Sequence, residues 1–497
     1  MTRDLFLAID VGTGGLRAAL LDGRGRIVAF SHREHEQIVP RHGWSEQRPR
    51  DWWDGTVAAI RAVLARVDDA AARVAAICAC GQMHGSVLID AAGQPTRDLA
   101  LLWNDKRTQP QVDAYAARAR EADWLPVSAN APAPAWPAFK LRWLMENEPD
   151  VIARAETLLM PKDWINFRLT GLRAQDYTEA SLSFLTDWRT RNWSKTLIDA
   201  TGAPERLLPG IRAPGDVLGP LLPEVADTLG LAAGLPVLVG AGDYPMALLG
   251  SGAFRPGMGS DVTGTSTIIT LLHEAPVLDA KVSNLATVEG NWGSFTLLDA
   301  GGDAVRWARR AFHDNRRDYA EVSEQATRSP AGAGGLFFLP YLAGERFADH
   351  PNSRAQFFGL TARHGLADLH RAVLEGVAFS VRHRLDLLQG EHGRPDRFVA
   401  ASGGAKSEHW LRIKAAMYGV PYVVPEELEC GLVGAAMLMA IATGDVPDLE
   451  AAAARMVRFG PEIAPDPAWA ERYDAMMPIY ADLYAAAQPF YDRMDKL

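Results

Sequence analysis

At 497 residues the chain exceeds what one ordinary hydrophobic core serves, so two domains of roughly 200–250 residues each are expected. Its 48% hydrophobic and 23% charged composition is that of a globular chain, which excludes disordered and collagen-like classes. A net charge of −10 argues against a nucleic-acid partner and gives no pull toward anionic membranes, so any anionic ligand must be held by local groups.

Only Leu5 to Ile9 stands between the charged Arg3-Asp4 and Asp10, too short for a signal-peptide core. The longest apolar run, Leu229 to Gly242, contains Pro236 and ends at Asp243, which rules it out as a membrane span. A cytoplasmic location is therefore expected. The three cysteines, Cys78, Cys80 and Cys430, lack the second pair or histidine cluster of a zinc site and read as buried thiols.

In chain order, Leu5 to Ile9 reads as a strand, followed by the turn Gly12-Thr13-Gly14-Gly15 and a strand from Leu16 to Leu21. Asp22-Gly23-Arg24-Gly25 reverses the chain into Ile27 to Phe30, giving an antiparallel meander. Asp51 to Arg66 has helical apolar spacing with Asp51 as its N-cap, and Cys78 to Cys80 ends the next strand. Gly202 to Pro220 reads as surface loop and Val237 to Gly240 as a buried strand. Beyond it, Asp261 to Leu272 reads as a hairpin arm, Gly302 to Ala311 as a helix and His370 to Leu388 as an amphipathic helix. Phe398 to Ala401 is a short strand and Glu408 to Tyr418 a helix. The pattern is α/β, with domains expected at 1–248 and 249–497. Each half carries a strand, a Gly-Thr turn and a hairpin, as a distant duplication would.

Several short runs have residue types suited to chemistry. Asp10-Val11-Gly12-Thr13-Gly14-Gly15 puts a carboxylate at a strand end before a turn whose N–H groups can face a phosphate, though a capped β-turn reads the same way. Gly257 to Ser266, with Thr263, Thr265 and Ser266, forms a second small-residue turn; a plain hairpin loop is its other reading. Ser402-Gly403-Gly404-Ala405-Lys406-Ser407 lets a flat group approach the backbone, but Ala405 stands where a Walker loop needs glycine. No G-x-G-x-x-G occurs, so a dinucleotide enzyme lacks its fingerprint. Asp243, after Gly240-Ala241-Gly242, can act as a general base or cap the following helix. Gln82, Met83 and His84, between Gly81 and Gly85, offer hydrogen-bonding groups for a polyhydroxyl ligand or form a solvent-facing loop.

Taken together, these runs resemble the FGGY family of carbohydrate kinases, within the actin, hexokinase and heat-shock chaperone superfamily, over roughly residues 4 to 445. The xylulokinase type is the nearest pattern. The resemblance is carried by Ile9 to Thr13, Trp44-Ser45-Glu46-Gln47, Gly81 to Gly85, Leu102-Trp103-Asn104-Asp105 and Pro161-Lys162-Asp163. It continues through Gly242-Asp243, Gly264-Thr265-Ser266, Phe338 to Leu342 with Gly344-Glu345-Arg346, Phe358-Gly359-Leu360, Ala372 to Gly376 and Ser402 to Ser407.

The resemblance implies two actin-like (RNase H-like) domains flanking a catalytic cleft, and transfer of phosphate from ATP to a small sugar with Mg²⁺. Asp243 matches the family's general base and Asp10 the acid associated with Mg²⁺. Thr13 and Gly14 match the first phosphate turn and Thr265 the second; Gly302, Gly403 and Gly404 match the nucleotide segments. Gln82, Met83 and His84 match the sugar segment, with Tyr244 beside it and Trp136 as an apolar wall or, equally, core packing. Tyr244 is a departure, because xylulokinases typically place Asn after the catalytic Asp, and it puts D-xylulose itself in question. The readings left open are a ketopentose kinase, an FGGY kinase for ribulose, erythritol or a pentitol, and an actin-like ATP-binding switch without sugar kinase activity. Dimers are common in the family, which makes a homodimer an analogy to test.

Overall fold

The computed structural model describes residues 3–345, 350–390 and 393–497; Arg346 of the Gly344-Glu345-Arg346 run lies outside them. Its first sheet starts with β1 (Leu5–Val11), β2 (Gly15–Asp22) and β3 (Ile27–Glu34), followed by α1 (Pro49–Leu64) and β4 (Val74–Gly81). Helix α1 begins with Pro49 at its first turn and Arg48 as N-cap, so Asp51 sits inside the first turn and not at the cap. There its carboxylate still opposes the positive end of the helix dipole.

An excursion follows that contains α2 (Pro137–Asn147), α3 (Pro161–Thr170) and α4 (Tyr177–Ser181). The chain then re-enters the sheet as β5 (Val217–Pro220), β6 (Pro236–Leu238) and β7 (Ala241–Gly242), and leaves through α5 (Asp243–Gly250). The sheet order is β5-β6-β4-β1-β2-β3, with β7 also on β4. The Gly202 to Pro220 stretch, expected to be loop, thus ends in a strand that the turn residues before it obscure.

The second half repeats this plan. Strands β8 (Met258–Thr263), β9 (Thr267–His273), β10 (Ser283–Ala286) and β11 (Trp292–Leu298) precede α6 (Gly301–His313) and α7 (Leu366–Gln389). Strand β12 (Arg397–Ala401), α8 (Glu408–Tyr418) and β13 (Tyr422–Val423) complete a six-stranded sheet ordered β10-β11-β9-β8-β12-β13. In both halves an antiparallel meander is extended on the far side of its first strand by two parallel strands: β3-β2-β1-β4-β6 and β11-β9-β8-β12-β13. This internal repeat is the two-domain actin-like architecture. No described helix is long and apolar enough to cross a membrane.

The packing layers are set by side-chain alternation. Ile77 and Ala79 of β4 face the core under α1 and α3, while Cys78 and Cys80 face the opposite layer. That second layer is built by α5 together with α9 (Cys430–Ala442), which returns from the far end of the chain to cover β1 and β4, and α10 (Leu449–Met456), which packs on α9. Helix α9 is apolar on all sides, as burial between a sheet and a helix requires. The final helix, α11 (Pro467–Met494), packs against α8 and α7 in the second half.

Helices α5 and α9 meet at glycines. A Cβ on Gly434 would lie 2.3 Å from the Met246 carbonyl oxygen, and one on Gly250 would lie 1.8 Å from that of Cys430. In an open helix Gly434→Ala would gain about 1 kcal/mol of propensity. Here overpacking, about 1–3 kcal/mol, outweighs it. Gly434→Ala should therefore lower the urea midpoint followed by tryptophan fluorescence; an unchanged or raised midpoint would show that the helices can separate at little cost.

Candidate active site

Strands β1, β4 and β7 run parallel and end side by side. Asp10 and Ala241 are both in register with Cys80, and Val11 and Gly242 with Gly81. Three chain segments therefore emerge at one edge: the Gly12–Gly15 turn, the 82–85 loop and the start of α5. Carboxyl ends of parallel strands are where α/β folds form their crevices. The crevice here is a cleft of ≈ 580 Å³ between the two sheets. Asp10, Thr13, Met83, His84, Trp136, Asp243 and Tyr244 line it from the first half. Ser260, Phe295, Ala401 and Ser402 face them from the second.

Two carboxylates dominate its electrostatics. Asp10 accepts a 2.7 Å hydrogen bond from Arg17, its cross-strand neighbour in the β1–β2 register. Burial pushes the Asp10 carboxyl up and the Arg17 charge opposes that shift. Its other oxygen is buried without a hydrogen-bond partner. Asp243, at the first position of α5, accepts the N–H of Tyr244 at 2.7 Å. Burial, reinforced by the negative charge of Asp10, pushes its carboxyl up to about 7.

An orphaned carboxylate oxygen at a cleft wall fits a hard cation such as Mg²⁺, which usually takes one or two carboxylates and completes its shell with phosphate oxygens and water. No group of three or more His, Cys, Asp or Glu is arranged for a metal among the described residues.

The 82–85 loop presents two of its three candidates. Met83 and His84 line the cleft, whereas the Gln82 side chain is buried and donates to Gln47 at 2.8 Å, behind the loop. His84 adopts a left-handed backbone (φ 64°) and is desolvated enough that its imidazole pKa lies well below the ordinary value. Its ring meets Trp136 edge-on at 5.1 Å, so Trp136 is both core and cleft wall. The Tyr244 hydroxyl is engaged with Thr270 of β9 at 2.6 Å, which leaves its ring as the cleft-facing surface.

The expected phosphate and nucleotide residues form two groups. Thr13 lines the cleft, its hydroxyl accepting from Trp103 at 3.0 Å, and Gly14 is exposed at the turn tip. In the second half Thr265, Gly302 and Gly404 gather around the turn after β8. Thr265 accepts from Arg306 at 3.0 Å, and the Gly302 N–H donates to Gly264 at 2.9 Å. A Cβ at Gly302 would sit 2.1 Å from that same Gly264 carbonyl oxygen, so only glycine fits. Gly404 backs onto Thr263, while Gly403 faces open space; the cleft itself is lined by the preceding Ala401 and Ser402.

Family models match in two consecutive pieces: the N-terminal domain of the FGGY family of carbohydrate kinases over residues 5–250, and its C-terminal domain over 260–443. The chain belongs to the FGGY family of carbohydrate kinases. The kinase is 30% identical over 485 residues to a xylulose kinase of Lactococcus lactis, covering 96% of each chain. Its structure matches xylulose kinase from Rhodospirillum rubrum with a TM-score of 0.92 at 29% identity, covering 98% of this chain and 99% of the other. A gluconate kinase from Lactobacillus acidophilus matches with a TM-score of 0.91 at 26% identity, covering 99% and 100%. The chain is therefore a sugar kinase of xylulokinase-like type, with ATP as the phosphoryl donor its family implies.

Arg17 and Trp103 line this cleft, while Lys140 donates to the His84 carbonyl and α4 backs the same loop and the Asp243 segment; none was among the candidate site residues read from the sequence. Arg17 had a usable signal, since the predicted β1–β2 hairpin sets it opposite Asp10, and Trp103 lies in the Leu102 to Asp105 run that carries the resemblance.

In the free kinase, Asp243 should titrate near pH 7. Replacing Asp10 by Asn removes a like charge and should move that midpoint downward. Carbon-13 titration of labelled aspartate carboxyls reads both values; an Asp243 midpoint near 4 in the parent protein would contradict the desolvated geometry.

Proposed function

We propose that this kinase transfers the γ-phosphoryl group of ATP, held with Mg²⁺ at Asp10, to a hydroxyl of a small ketose, with D-xylulose the first candidate and Asp243 the general base. The observation that carries the reading is the position of Asp243. It is a desolvated carboxyl in the cleft that His84, Met83 and Trp136 line from the first half. A sugar hydroxyl is unactivated at neutral pH, and a fixed base with a pKa near the working pH accepts its proton most effectively.

In this reading residues 1–248 supply the sugar side and the first phosphate turn, and 249–497 the nucleotide side, with α9 returning to brace the first sheet. Thr13 and Gly14 face the phosphates from one wall; Thr265, Gly302, Gly403 and Gly404 shape the nucleotide site from the other. Mg²⁺ supplies neutralisation of charge on the transferring phosphoryl group. Met83, His84, Trp136 and the Tyr244 ring bind and orient the sugar, and Gln82 supports their loop from behind. Two facing walls allow closure to exclude water, which would otherwise take the phosphoryl group.

Tyr244 favours a second reading alongside the first. Its hydroxyl is committed to Thr270, so beside the base the sugar meets an aromatic face instead of a hydrogen-bonding group. Another pentulose, or a polyol such as erythritol or a pentitol, fits such a wall.

ADP release with MgATP across D-xylulose, L- and D-ribulose, L-xylulose, erythritol, xylitol, ribitol, arabinitols and glycerol tests both. One substrate should saturate strongly, and Asp243→Asn should reduce its kcat by on the order of 10²–10⁴ while ATP still binds. The base must be ionised to work, so kcat/KM should rise through about pH 7 and level off above it. Full turnover in Asp243→Asn would remove the base assignment.

A further inference from the structure

Helix α4 is five residues long, yet three of its side chains reach three different parts of the molecule. Thr178 accepts the backbone N–H of Gly242 at 3.1 Å, in the segment that delivers Asp243. Glu179 accepts the backbone N–H of His84 at 3.2 Å, holding the loop that carries Met83 and His84. Ser181 accepts the N–H of Ala286 at 3.0 Å, in β10 of the second sheet. The same helix also donates from the Tyr177 hydroxyl to the Val288 carbonyl.

A helix this short has no stability of its own, because nucleation costs more than a single turn returns. It is held from its N-terminus instead. Asp176 caps it, accepting from the N–H groups of Thr178 at 2.8 Å and Glu179 at 3.2 Å, and from the Thr178 hydroxyl. Lys162, fully buried, lies 2.9 Å from Asp176 and donates to the Val239 carbonyl at 3.0 Å, one strand end before the base. The Thr178 hydroxyl thus gives its proton to Asp176 and turns its lone pair to Gly242. Thr178 and Glu179 are both wholly buried, so neither is arranged to meet a ligand.

We infer that Thr178 and Glu179 are positioning residues: one short helix sets the Asp243 segment and the His84 loop at a fixed spacing to each other. This rests on the sugar-kinase reading of Asp243 and His84 given above. The two contacts divide the task. Thr178 fixes where the base sits, which governs the chemical step, and Glu179 fixes the left-handed His84, which governs sugar capture. The need for Glu179 follows from that backbone, because a non-glycine residue with positive φ persists only where its surroundings hold it.

Kinetics of single variants, together with amide hydrogen exchange of the resting enzyme, test this. Thr178→Val keeps the volume and loses the acceptor. It should lower kcat by up to about 10²-fold, since a misplacement near 1 Å can cost that much, while the sugar KM changes little. Glu179→Ala should raise the sugar KM about tenfold, the equivalent of one hydrogen bond, and change kcat less. Thr178→Ser and Glu179→Gln retain the acceptor oxygens and should restore parental values. In exchange, Thr178→Val should deprotect residues 240–243 and leave 82–85 protected, and Glu179→Ala should do the reverse. If both variants lose kcat and KM together, deprotect both segments and are not rescued by Ser or Gln, α4 is only a stability element and the inference fails. If the exchange pattern divides as stated but the parent phosphorylates no sugar, the positioning stands and the kinase reading of the two loops falls.

Discussion

The site depends on bringing two carboxylates into one partly dehydrated cleft. Asp10 and Asp243 leave neighbouring strand ends on either side of β4, and the charge of Asp10 adds to the burial that makes Asp243 costly to ionise. The fold answers this asymmetrically. Asp10 has the Arg17 guanidinium at 2.7 Å, backed by Glu429 at 3.6 Å from the same arginine. Asp243 accepts the backbone N–H of Tyr244 and feels the Arg17 charge as a smaller opposing effect. Burial raises both carboxyls, but the Arg17 charge opposes the shift at Asp10, whereas at Asp243, where a proton can be taken and returned, the charge of Asp10 adds to it.

The internal repeat shows how the two halves treat corresponding acids. Asp261 occupies in β8 a place corresponding to that of Asp10 in β1, within the first strand of a hairpin. There, however, Lys414 reaches it at 2.8 Å, Tyr422 at 2.9 Å and Thr263 at 2.6 Å, and it is sealed from solvent. Its lone pairs are spent on holding the turn around Thr263 and Gly264 against α8. The second half has turned its acid into scaffold beneath the turn that serves Thr265 and Gly302, whereas the first half leaves its acid open to the cleft.

Much of the architecture was legible from local pattern. The meander at the start, the Glu408 to Tyr418 helix and the strand before Ser402 follow directly from apolar spacing and turn residues. Local pattern failed where the deciding partner is distant. Asp51 looks like an N-cap, but Pro49 starts the helix earlier. The bond from the Gln82 amide to Gln47, 35 residues away, is likewise invisible to local pattern. Thr178 and Glu179 carry no signal at all, because their partners lie 64 and 95 residues away in sequence. The return of α9 to the first sheet is of the same kind: an all-apolar helix announces burial, not where it is buried.

The most direct test of the account is a crystal structure of the kinase with its sugar and a non-hydrolysable ATP analogue bound together. The account predicts the acceptor hydroxyl within about 2.6–3.2 Å of an Asp243 carboxylate oxygen, with the terminal phosphate on the far side of that hydroxyl and the cation at Asp10. A sugar seated away from Asp243, or a nucleotide whose phosphates avoid the Thr13 and Thr265 turns, would contradict it.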